Sequence, residues 1–554
     1  MGCAAQTLKE FASSNEWRAL LHINENNVSE ILDNNFFISE QMDPEIEMKT
    51  LLENISCDNI CKYPARYRYI SKKMNLNISF SHCNNLQKYL EDSRGDSVSI
   101  VFASSYLESP TSYFGHTFIK INKKKDLFFS QTLSYAAELP ESVGLFNLVN
   151  GGINGGFSGK YVASPYFKLI EEYSVIEQRK LYEYELNLTQ DEIEDLLWHS
   201  YETLNIAVPY KFFSENCAYE VFWFLENAKP NLKMRQKLKP YIIPYETIEI
   251  LLAEGLVGQK AIRHPSIDEL SAIYFSLSFA EKNIFEKFSN ADDKQLFLKN
   301  ADLSIDVKNK FIELTNGHYD ILFKKFRTVK SDYNEVKNLD YTRSSYINDQ
   351  EFQYKNTHSI FIGKVFGPST SHSMIRLRPA LFNRYEPQNN ILSEQTFELM
   401  QIEFLKNQSN IKMNSFDIIK LESLNKRFVF YDPWSWRLYL GGNRSLVGSK
   451  FSTVGELGAG ITKGNEYGSI YGIGQMALYP FDNSIVVQGL FGLSYWIGQS
   501  HINYDFKSLV FTTNDKSQDE SLVSFNYEIN KKVAFSVSKD FKKNERKAML
   551  IFKF

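Results

Sequence analysis

The feature that most constrains the fold of this chain is a series of short alternating segments that fills the sequence from about residue 350 to its end. Apolar and polar residues alternate within each segment, and in an extended strand such alternation places them on opposite faces. Turns rich in Asn, Gly, Asp and Lys separate the segments, and residues 393–430 have room for two or three more. Ten segments are evident: Ser359–Phe366, Ser373–Phe382, Trp434–Gly441, Gly455–Thr462, Ser469–Tyr479, Ile485–Ile497, Ile502–Thr512, Ser521–Ile529, Val533–Ser538 and Lys547–Phe554.

Aromatic residues near the ends of these segments indicate which kind of β-structure they form. The chain contains 43 Phe and 32 Tyr, and its last segment alternates to a terminal Phe554. Aromatic residues at strand ends and a closing alternating strand are typical of transmembrane β-barrels of the bacterial outer membrane. We therefore predict an antiparallel β-barrel over residues 346–554, in the outer membrane. A soluble barrel or sandwich would show the same alternation and remains the alternative.

The length of the chain predicts several domains and an α+β fold. A single hydrophobic core rarely extends beyond about 250–300 residues, and this chain has 554. Helical spacing of apolar residues predicts a helical N-terminal domain over 1–95 and a helical linker region over 256–345. Residues 96–255 mix strands and helices and form a third domain. The sequence contains no stretch of about 18 apolar residues, so it predicts no transmembrane helix.

Charge and cysteine content narrow the class of protein further. The 62 Lys and Arg nearly balance the 66 Asp and Glu, which argues against a nucleic-acid partner. The five cysteines lack the paired spacing of a zinc site, and we expect no metal or cofactor. A disulfide from Cys61 to Cys83 would fit an exported protein, with Cys57 as the rival partner and three free thiols as the other alternative. Cys3 would be the lipidated residue if the chain opens with the end of a lipoprotein signal; a short disordered start is the alternative.

One histidine and one cysteine, about a hundred residues apart, are the candidate catalytic pair. His116 precedes a predicted hairpin over 117–122 and 127–135, and Cys217 follows Asn216, which can cap an apolar helix. The amides of a helix N-terminus and a nearby imidazolium both favour a reactive thiolate. The candidates for a third side chain that orients the imidazole are Gln131 and Ser134, between which the sequence does not choose. A buried inert cysteine is the alternative, and the other eight histidines are expected to be structural or exposed.

These residues carry a resemblance to a known family. A histidine at the start of a hairpin, followed by Asn-Cys opening a helix, resembles the circularly permuted papain-like fold of lecithin retinol acyltransferase-like and NlpC/P60 enzymes. Residues of about 95–255 look more closely like the Lnb N-terminal periplasmic domain family, and residues 10–90 look like the helical domain that precedes it in Gram-negative members. The motifs are Ser105-Tyr106, Ser109-Pro110, Ser112, Phe114-Gly115-His116-Thr117-Phe118, Tyr135-Ala136-Ala137-Glu138, Glu177-Gln178-Arg179 and Asn216-Cys217.

The resemblance implies a cell-envelope thiol acyltransferase or lipid hydrolase that forms a Cys217 thioester with acyl groups of glycerolipids or lipoproteins. His116 would move the proton, and the partners would be membrane lipids or lipoproteins at the periplasmic side of the outer membrane. Two departures limit what the resemblance implies. The founding transacylases have membrane helices, which this sequence does not predict, and Ser134 stands where relatives often have Asn. A peptidoglycan peptidase or amidase related to NlpC/P60 is one alternative function. A non-catalytic outer-membrane scaffold or channel is the other.

Overall fold

A computed structural model describes most of the chain, and its described residues form two compact units. The first unit ends at Ser266, and the second contains Ile267–Phe323 together with the barrel residues from 358 onward. Cys3, the predicted lipidation site, lies outside the described part of the chain. The described residues are 8–39, 41–106, 114–138, 151–152, 155–204, 206–212, 214–238, 242–326, 358–368, 370–386, 392–407, 410–428, 431–444, 451–513 and 519–554.

The first unit opens with short helices whose ends are fixed by local side chains. The Asp43 side chain accepts hydrogen bonds from the Glu45 and Ile46 amides and caps α2, where Pro44 takes the first position. A disulfide joins Cys61 to Cys83, one of the alternatives that the sequence left open, and the rival partner Cys57 is free and exposed. The helices are α1 Asn15–Leu20, α2 Pro44–Glu53, α3 Cys57–Lys62, α4 Pro64–Met74 and α5 Asn84–Ser93, with a 3-10 turn over Asn34–Phe36.

A seven-stranded antiparallel sheet forms the centre of the first unit, in the order β6-β4-β3-β2-β1-β5-β7. Its strands are β1 Ser97–Ala103, β2 His116–Asn122, β3 Gln131–Glu138, β4 Phe157–Pro165, β5 Leu181–Leu186, β6 Ala207–Tyr210 and β7 Val257–Arg263. The helices between them are α6 Tyr166–Leu169, which continues as a π-helical turn over Ile170–Ile176, α7 Gln190–Thr203, α8 Cys217–Ala228 and α9 Glu246–Ala253, with 3-10 turns over Leu127–Phe129 and Met234–Lys237.

Helix α8 is the buried core helix of this unit. It contacts α1, α7 and β2, and its Phe222, Trp223 and Phe224 side chains are almost wholly buried. Fully burying an aromatic ring of this size contributes about 1.5–3 kcal/mol, so the apolar run after Cys217 fixes the helix firmly. The thiol at its first position is thereby held in a rigid frame.

The N-terminal helices and the sheet belong to the same compact unit. The Arg66 guanidinium on α4 forms ion pairs with Glu47 on α2 and with Glu202 on α7, at 2.5 and 2.6 Å. All three side chains are buried, and the Phe36 ring lies 4.1 Å below the guanidinium carbon. Removing one member of such a pair leaves a buried charge and costs about 3–5 kcal/mol. The predicted N-terminal and Cys-His domains are therefore joined by a strong internal contact.

A helical segment begins the second unit, as predicted for the linker region. Its helices are α10 Ser266–Ser276, α11 Phe279–Ser289, α12 Lys294–Asn300 and α13 Ile305–Phe326. Phe285, Phe288 and Phe311 form the centre of their common core. Ile267 packs with Leu392 and Phe428 of the barrel, so the segment rests on one end of the barrel. None of the described helices is long and apolar enough to cross a membrane.

The second unit continues as a closed antiparallel barrel of 12 strands, which confirms the predicted fold class. Closure comes from the pairing of β20 with β8 and of β9 with β11. Strands β9 and β10 both pair with β11 and are interrupted only by Pro379, so they count as one. The elements are β8 Ser359–Phe366, β9 Ser371–Arg378, β10 Ala380–Phe382, β11 Ser393–Lys406, β12 Ile411–Arg427, β13 Ser435–Arg444, β14 Phe451–Gly464, β15 Gly468–Tyr479, β16 Ser484–Ile497, β17 Ser500–Thr512, β18 Glu520–Asn530, β19 Val533–Asp540 and β20 Glu545–Lys553, with a 3-10 turn over Pro480–Asp482.

All ten predicted segments are strands, and residues 393–430 contain two more. Alternate side chains of these strands are exposed and apolar, as expected for a surface in contact with lipid. Examples are Leu457, Ile470, Phe491, Leu493, Ile497 and Val510. The opposite side chains are buried and include many charges. Ion pairs join some of them, among them Arg378–Glu386 at 2.5 Å, Arg384–Asp505 at 2.7 Å and Lys553–Glu528 at 2.7 Å.

Candidate functional site

His116 is the first residue of β2 and lies opposite Ala103 at the end of β1. Gly115 before it has φ +85, and a Cβ there would come within 2.7 Å of the Ala103 carbonyl oxygen. Only glycine fits both the left-handed backbone and this close approach. The Phe114-Gly115-His116 sequence therefore turns the chain sharply into the strand and places the imidazole at the sheet edge where β1 ends.

Ser134, rather than Gln131, is the predicted third residue that reaches the imidazole. The Ser134 Oγ lies 2.8 Å from His116 Nε2. Gln131 pairs with Ile121, which is five residues along β2 from His116, or about 17 Å at the rise of a strand. Because side chains alternate along a strand, Gln131 also points to the other face of the sheet. The structure does not bring Gln131 to the site.

Asn216 caps α8, as its position before Cys217 predicted. Its Oδ1 accepts hydrogen bonds from the amides of Ala218 and Tyr219, at 3.0 and 3.3 Å. Its Nδ2 donates to the carbonyl oxygens of Phe212 and Ile242, at 2.9 and 2.7 Å. The side chain is fully used in holding the helix start and two neighbouring segments, so Asn216 positions Cys217.

Cys217 is 4% exposed and lies alongside the start of β2. The backbone N–H groups of Thr117, Ala218 and Cys217 itself lie near enough to the sulfur to lower the pKa of the thiol. Thr117 directly follows His116 in β2, and α8 contacts both β2 and β3. The structure thus places Cys217 on α8 in the same region as His116 on β2 and Ser134 on β3.

Burial decides the resting charge of the pair. Desolvation raises the pKa of the Cys217 thiol to about 11, although the backbone hydrogen bonds and the nearby Arg179 act in the opposite direction. Burial, with a smaller contribution from Arg179, lowers the pKa of His116 to about 3. The effect of the helix N-terminus expected from the sequence is present but weaker than desolvation. At neutral pH the site therefore holds a neutral thiol beside a neutral imidazole.

Aromatic rings surround the pair. The ring centroids of Phe118 and Tyr173 lie 6.0 and 5.8 Å from that of His116. Tyr135 donates its hydroxyl to the Pro209 carbonyl oxygen at 2.9 Å. The Tyr135 ring fits only because residue 159 is glycine: a Cβ at residue 159 would lie 2.2 Å from the Tyr135 hydroxyl oxygen. The walls of the site are therefore largely apolar.

Arg179 is the residue near this site that sequence reasoning did not single out. It is 2% exposed and donates to the Ala103 carbonyl oxygen at 3.0 Å. In the sequence it was only part of the Glu177-Gln178-Arg179 motif. No spacing or periodicity marks a buried arginine, because its place depends on how β5 aligns with β1.

Two other groups of ionisable side chains lie outside the thiol site. His22 and His199 are buried against each other, with 3.1 Å between their Nε2 atoms, as fits a structural role. Among the described residues, Cys61, His82 and Cys83 lie close enough together to hold a metal ion. The disulfide between Cys61 and Cys83 occupies both sulfurs, so this group does not offer a thiolate site.

Three separate ranges of the chain match known family models. Residues 85–254 match the model of the Lnb N-terminal periplasmic domain. Residues 9–73 and 358–552 match two domains of unknown function, DUF7843 and DUF7840. The comparison with curated proteins returns no significant match.

Two of the solved structures that resemble part of the chain are porins. One is described as KdgM porin in complex with disordered oligogalacturonate; it has 12% identity and a TM-score of 0.23, and the match covers 35% of this chain and 99% of the porin. Another is a triple mutant of the porin of Rhodopseudomonas blastica, with 9% identity and a TM-score of 0.16, covering 36% of this chain and 99% of the porin.

Proposed function

Since residues 85–254 form an Lnb N-terminal periplasmic domain and the barrel places the chain in the outer membrane, facing the periplasm, we propose that Cys217 is the nucleophile of a thiol acyltransferase or lipid hydrolase. Its substrates are acyl esters of glycerolipids or lipoproteins. The observation that supports this proposal is the 2.8 Å contact of the Ser134 hydroxyl with His116 Nε2, on a strand that helix α8, which begins at Cys217, contacts.

The proposed reaction begins with attack of the Cys217 sulfur on the ester carbonyl carbon. His116 Nδ1 takes the thiol proton, while Nε2–H donates to Ser134 and holds the ring. The carbon–oxygen bond to the alcohol then breaks, and the imidazolium returns the proton to the leaving oxygen. An amine or water attacks the resulting thioester, transferring or hydrolysing the acyl group and restoring the thiol.

The resting protonation states favour proton transfer during attack over a preformed ion pair. A thiol with a pKa near 11 and an imidazole with a pKa near 3 are both neutral at pH 7. A neutral imidazole is the form that accepts a proton, although burial, by lowering its pKa, also makes it a weaker base. The Cys217 backbone N–H is the proposed donor to the oxyanion that forms on the carbonyl oxygen.

A lipid substrate agrees with the surroundings of the thiol. Tyr135, Tyr173 and Tyr210 lie near enough to the thiol that its negative charge would raise each pKa, after the larger effect of burial. Such tyrosines stay neutral and present ring surface, which suits an acyl chain better than a charged peptide. The barrel holds the chain in the membrane that supplies those acyl groups.

The proposal predicts an acyl-thioester on Cys217. The full chain in detergent is incubated with outer-membrane lipids and lipoproteins. The masses of the peptides that contain Cys217 are then measured by mass spectrometry. Wild type should gain one acyl mass, and Cys217→Ser should turn over at least about a hundredfold more slowly. Cys57→Ser is the matched control and should behave as wild type, because that thiol is exposed and outside the site.

The contrary outcome is equally clear. If wild type carries no acyl group and releases peptides from peptidoglycan in a Cys217-dependent way, the chain is an amidase or peptidase. If neither reaction depends on Cys217, the acyl-transfer proposal fails and a non-catalytic scaffold remains.

A further inference from the structure

Arg179 is a buried cation beside the thiol site that acyl transfer, as described above, does not use. Its three guanidinium nitrogens are all engaged. Nε donates to the Ser104 carbonyl oxygen at 2.5 Å, Nη2 to the Ala103 carbonyl oxygen at 3.0 Å, and Nη1 pairs with Glu177 at 2.6 Å. A guanidinium held by three contacts in the interior is a fixed positive charge.

Two of the Arg179 contacts lead directly to His116. Ala103, which accepts from Arg179, pairs with His116 across β1 and β2. The guanidinium carbon also lies 4.6 Å from the centre of the Tyr173 ring, and that ring is 5.8 Å from the imidazole. Arg179 therefore holds both a strand end and an aromatic ring in place against the histidine.

The backbone before Arg179 has an unusual conformation that aims the side chain at β1. Residues Ile170–Ile176 form a π-helical turn, and Gln178 has a left-handed φ of 54° although it is not glycine. The Arg179 amide then donates to the Tyr173 carbonyl oxygen at 2.7 Å. Such backbone persists only where the surrounding structure fixes it, and it is common at functional sites.

The charge of Arg179 acts on both reacting groups. It opposes burial at the Cys217 thiol by lowering the pKa, and it adds to burial at His116, also lowering the pKa. The cation therefore favours negative charge on the sulfur and disfavours positive charge on the imidazole. The first effect assists loss of the thiol proton, whereas the second makes His116 a weaker base, so the help that Arg179 gives to the attack comes through the sulfur.

We propose that Arg179 is a positioning residue of the Cys217 site: its contacts with the Ser104 and Ala103 carbonyl oxygens and with the Tyr173 ring hold β1 and Tyr173 against His116, and its charge favours the negative charge that develops on the sulfur. The catalytic role of the Arg179 charge rests on the proposed acyl transfer. The effect of that charge on the thiol pKa does not depend on the reaction.

The test measures alkylation of Cys217 by iodoacetamide as a function of pH, in the full chain, with mass spectrometry of the Cys217 peptide. Arg179→Gln removes the charge and should raise the apparent thiol pKa by about one unit, slowing alkylation about tenfold at a fixed pH below it. Glu177→Gln leaves Arg179 without its counter-charge and should shift the same pKa downward. Opposite shifts from neighbouring substitutions are not expected from a general loosening of the fold.

Arg179→Lys separates the two parts of the role. Lysine keeps the positive charge but cannot make the several hydrogen bonds of the planar guanidinium. The pH profile of Cys217 alkylation should therefore stay near that of wild type, while acyl-enzyme formation falls about tenfold. The exposed Cys57 thiol is the internal reference, and its profile should be the same in every variant.

Circular dichroism checks the fold of each variant. If Arg179→Gln does not fold, Glu177→Gln and Arg179→Lys still decide the question. Unchanged thiol profiles in Glu177→Gln and in a folded Arg179→Gln would overturn the electrostatic role, and wild-type acyl-enzyme formation in Arg179→Lys would overturn the positioning role. Opposite pKa shifts without any acyl-enzyme in wild type would leave the effect of Arg179 on the thiol established and refute the acyl-transfer proposal instead.

Discussion

At the scale of single residues, the Ser134 hydroxyl is the group that fixes the candidate base. It lies 2.8 Å from His116 Nε2, and a partner on that nitrogen sets which ring nitrogen is free to take a proton. An Asn side chain, which the resemblance to the Lnb family leads one to expect at this position, would offer an oxygen acceptor to the same nitrogen. We propose that Ser134 takes this orienting role with a smaller side chain.

Ser134→Ala should lower the rate of acyl-enzyme formation about tenfold to a hundredfold, because the imidazole loses its orienting partner. Ser134→Asn should retain most of the rate, since its side-chain oxygen can accept from Nε2–H. Quenched-flow mass spectrometry of the Cys217 peptide measures both. Alkylation of Cys217 at fixed pH is the control for an intact site, and an alanine variant as fast as wild type would remove Ser134 from the mechanism.

At the scale of elements, a buried pair of histidines joins the segment after α1 to helix α7. His22 and His199 are both 0% exposed, and the Trp223 ring of α8 stacks on His22 at 4.7 Å. Burial lowers the pKa of His22 well below its usual value and that of His199 to about 3, with Arg66 adding to the effect at His199. Three elements are therefore packed around two neutral imidazoles.

This pair predicts that the first unit loses stability in mild acid. The unfolded chain binds protons at these histidines near pH 6.5 and the folded chain does not, so the free energy of unfolding falls as the pH drops from 6.5 towards 3. The slope is at most about 1.4 kcal/mol per pH unit for each histidine. Hydrogen exchange of α7 in the full chain, compared at pH 7 and pH 5, measures it.

His199→Gln is the matched variant, because an amide can still bond to His22 but does not titrate. Its loss of protection between pH 7 and pH 5 should be smaller than that of wild type. Equal losses in the two proteins would show that other groups, and not this histidine, cause the sensitivity to acid.

At the scale of the whole molecule, the barrel has many paired charges among its buried side chains. They form a network of buried ion pairs, including Arg378–Glu386 and Arg384–Asp505. Ile267 of the helical segment packs with Leu392 and Phe428 at the end where the first barrel strand begins and the last one ends. We expect the paired side chains to obstruct the lumen, and the barrel to serve as an anchor and not as an open channel.

The full chain in planar lipid bilayers should therefore show no steady conductance of the size of an open porin. Removing a partner from the network, as in Arg384→Ser, should leave unpaired carboxylates in the lumen and increase ion passage or lower the unfolding temperature. A large steady current through wild type would contradict the closed lumen and favour a channel.

The sequence by itself determined the features that depend on near neighbours along the chain. Alternation with a period of two predicted the barrel strands because it reports directly which face of each strand is buried. Asn216 before Cys217 predicted the helix start because a cap bonds amides two and three residues away. The His116 hairpin was found in the same local way, whereas the sequence left the partner of Cys61 or Cys57 open and only the structure paired Cys61 with Cys83.

Only the tertiary structure decided what depends on register and burial. The pairing of β2 with β3 selected Ser134 over Gln131, since a shift of a few residues moves a side chain many ångströms and to the other face. Packing around α8 raised the pKa of Cys217 against the effect of the helix N-terminus, because desolvation depends on every neighbour in space. The pairing of β5 with β1 placed Arg179, two residues before β5, against the end of β1, a contact that no pattern in one sequence records.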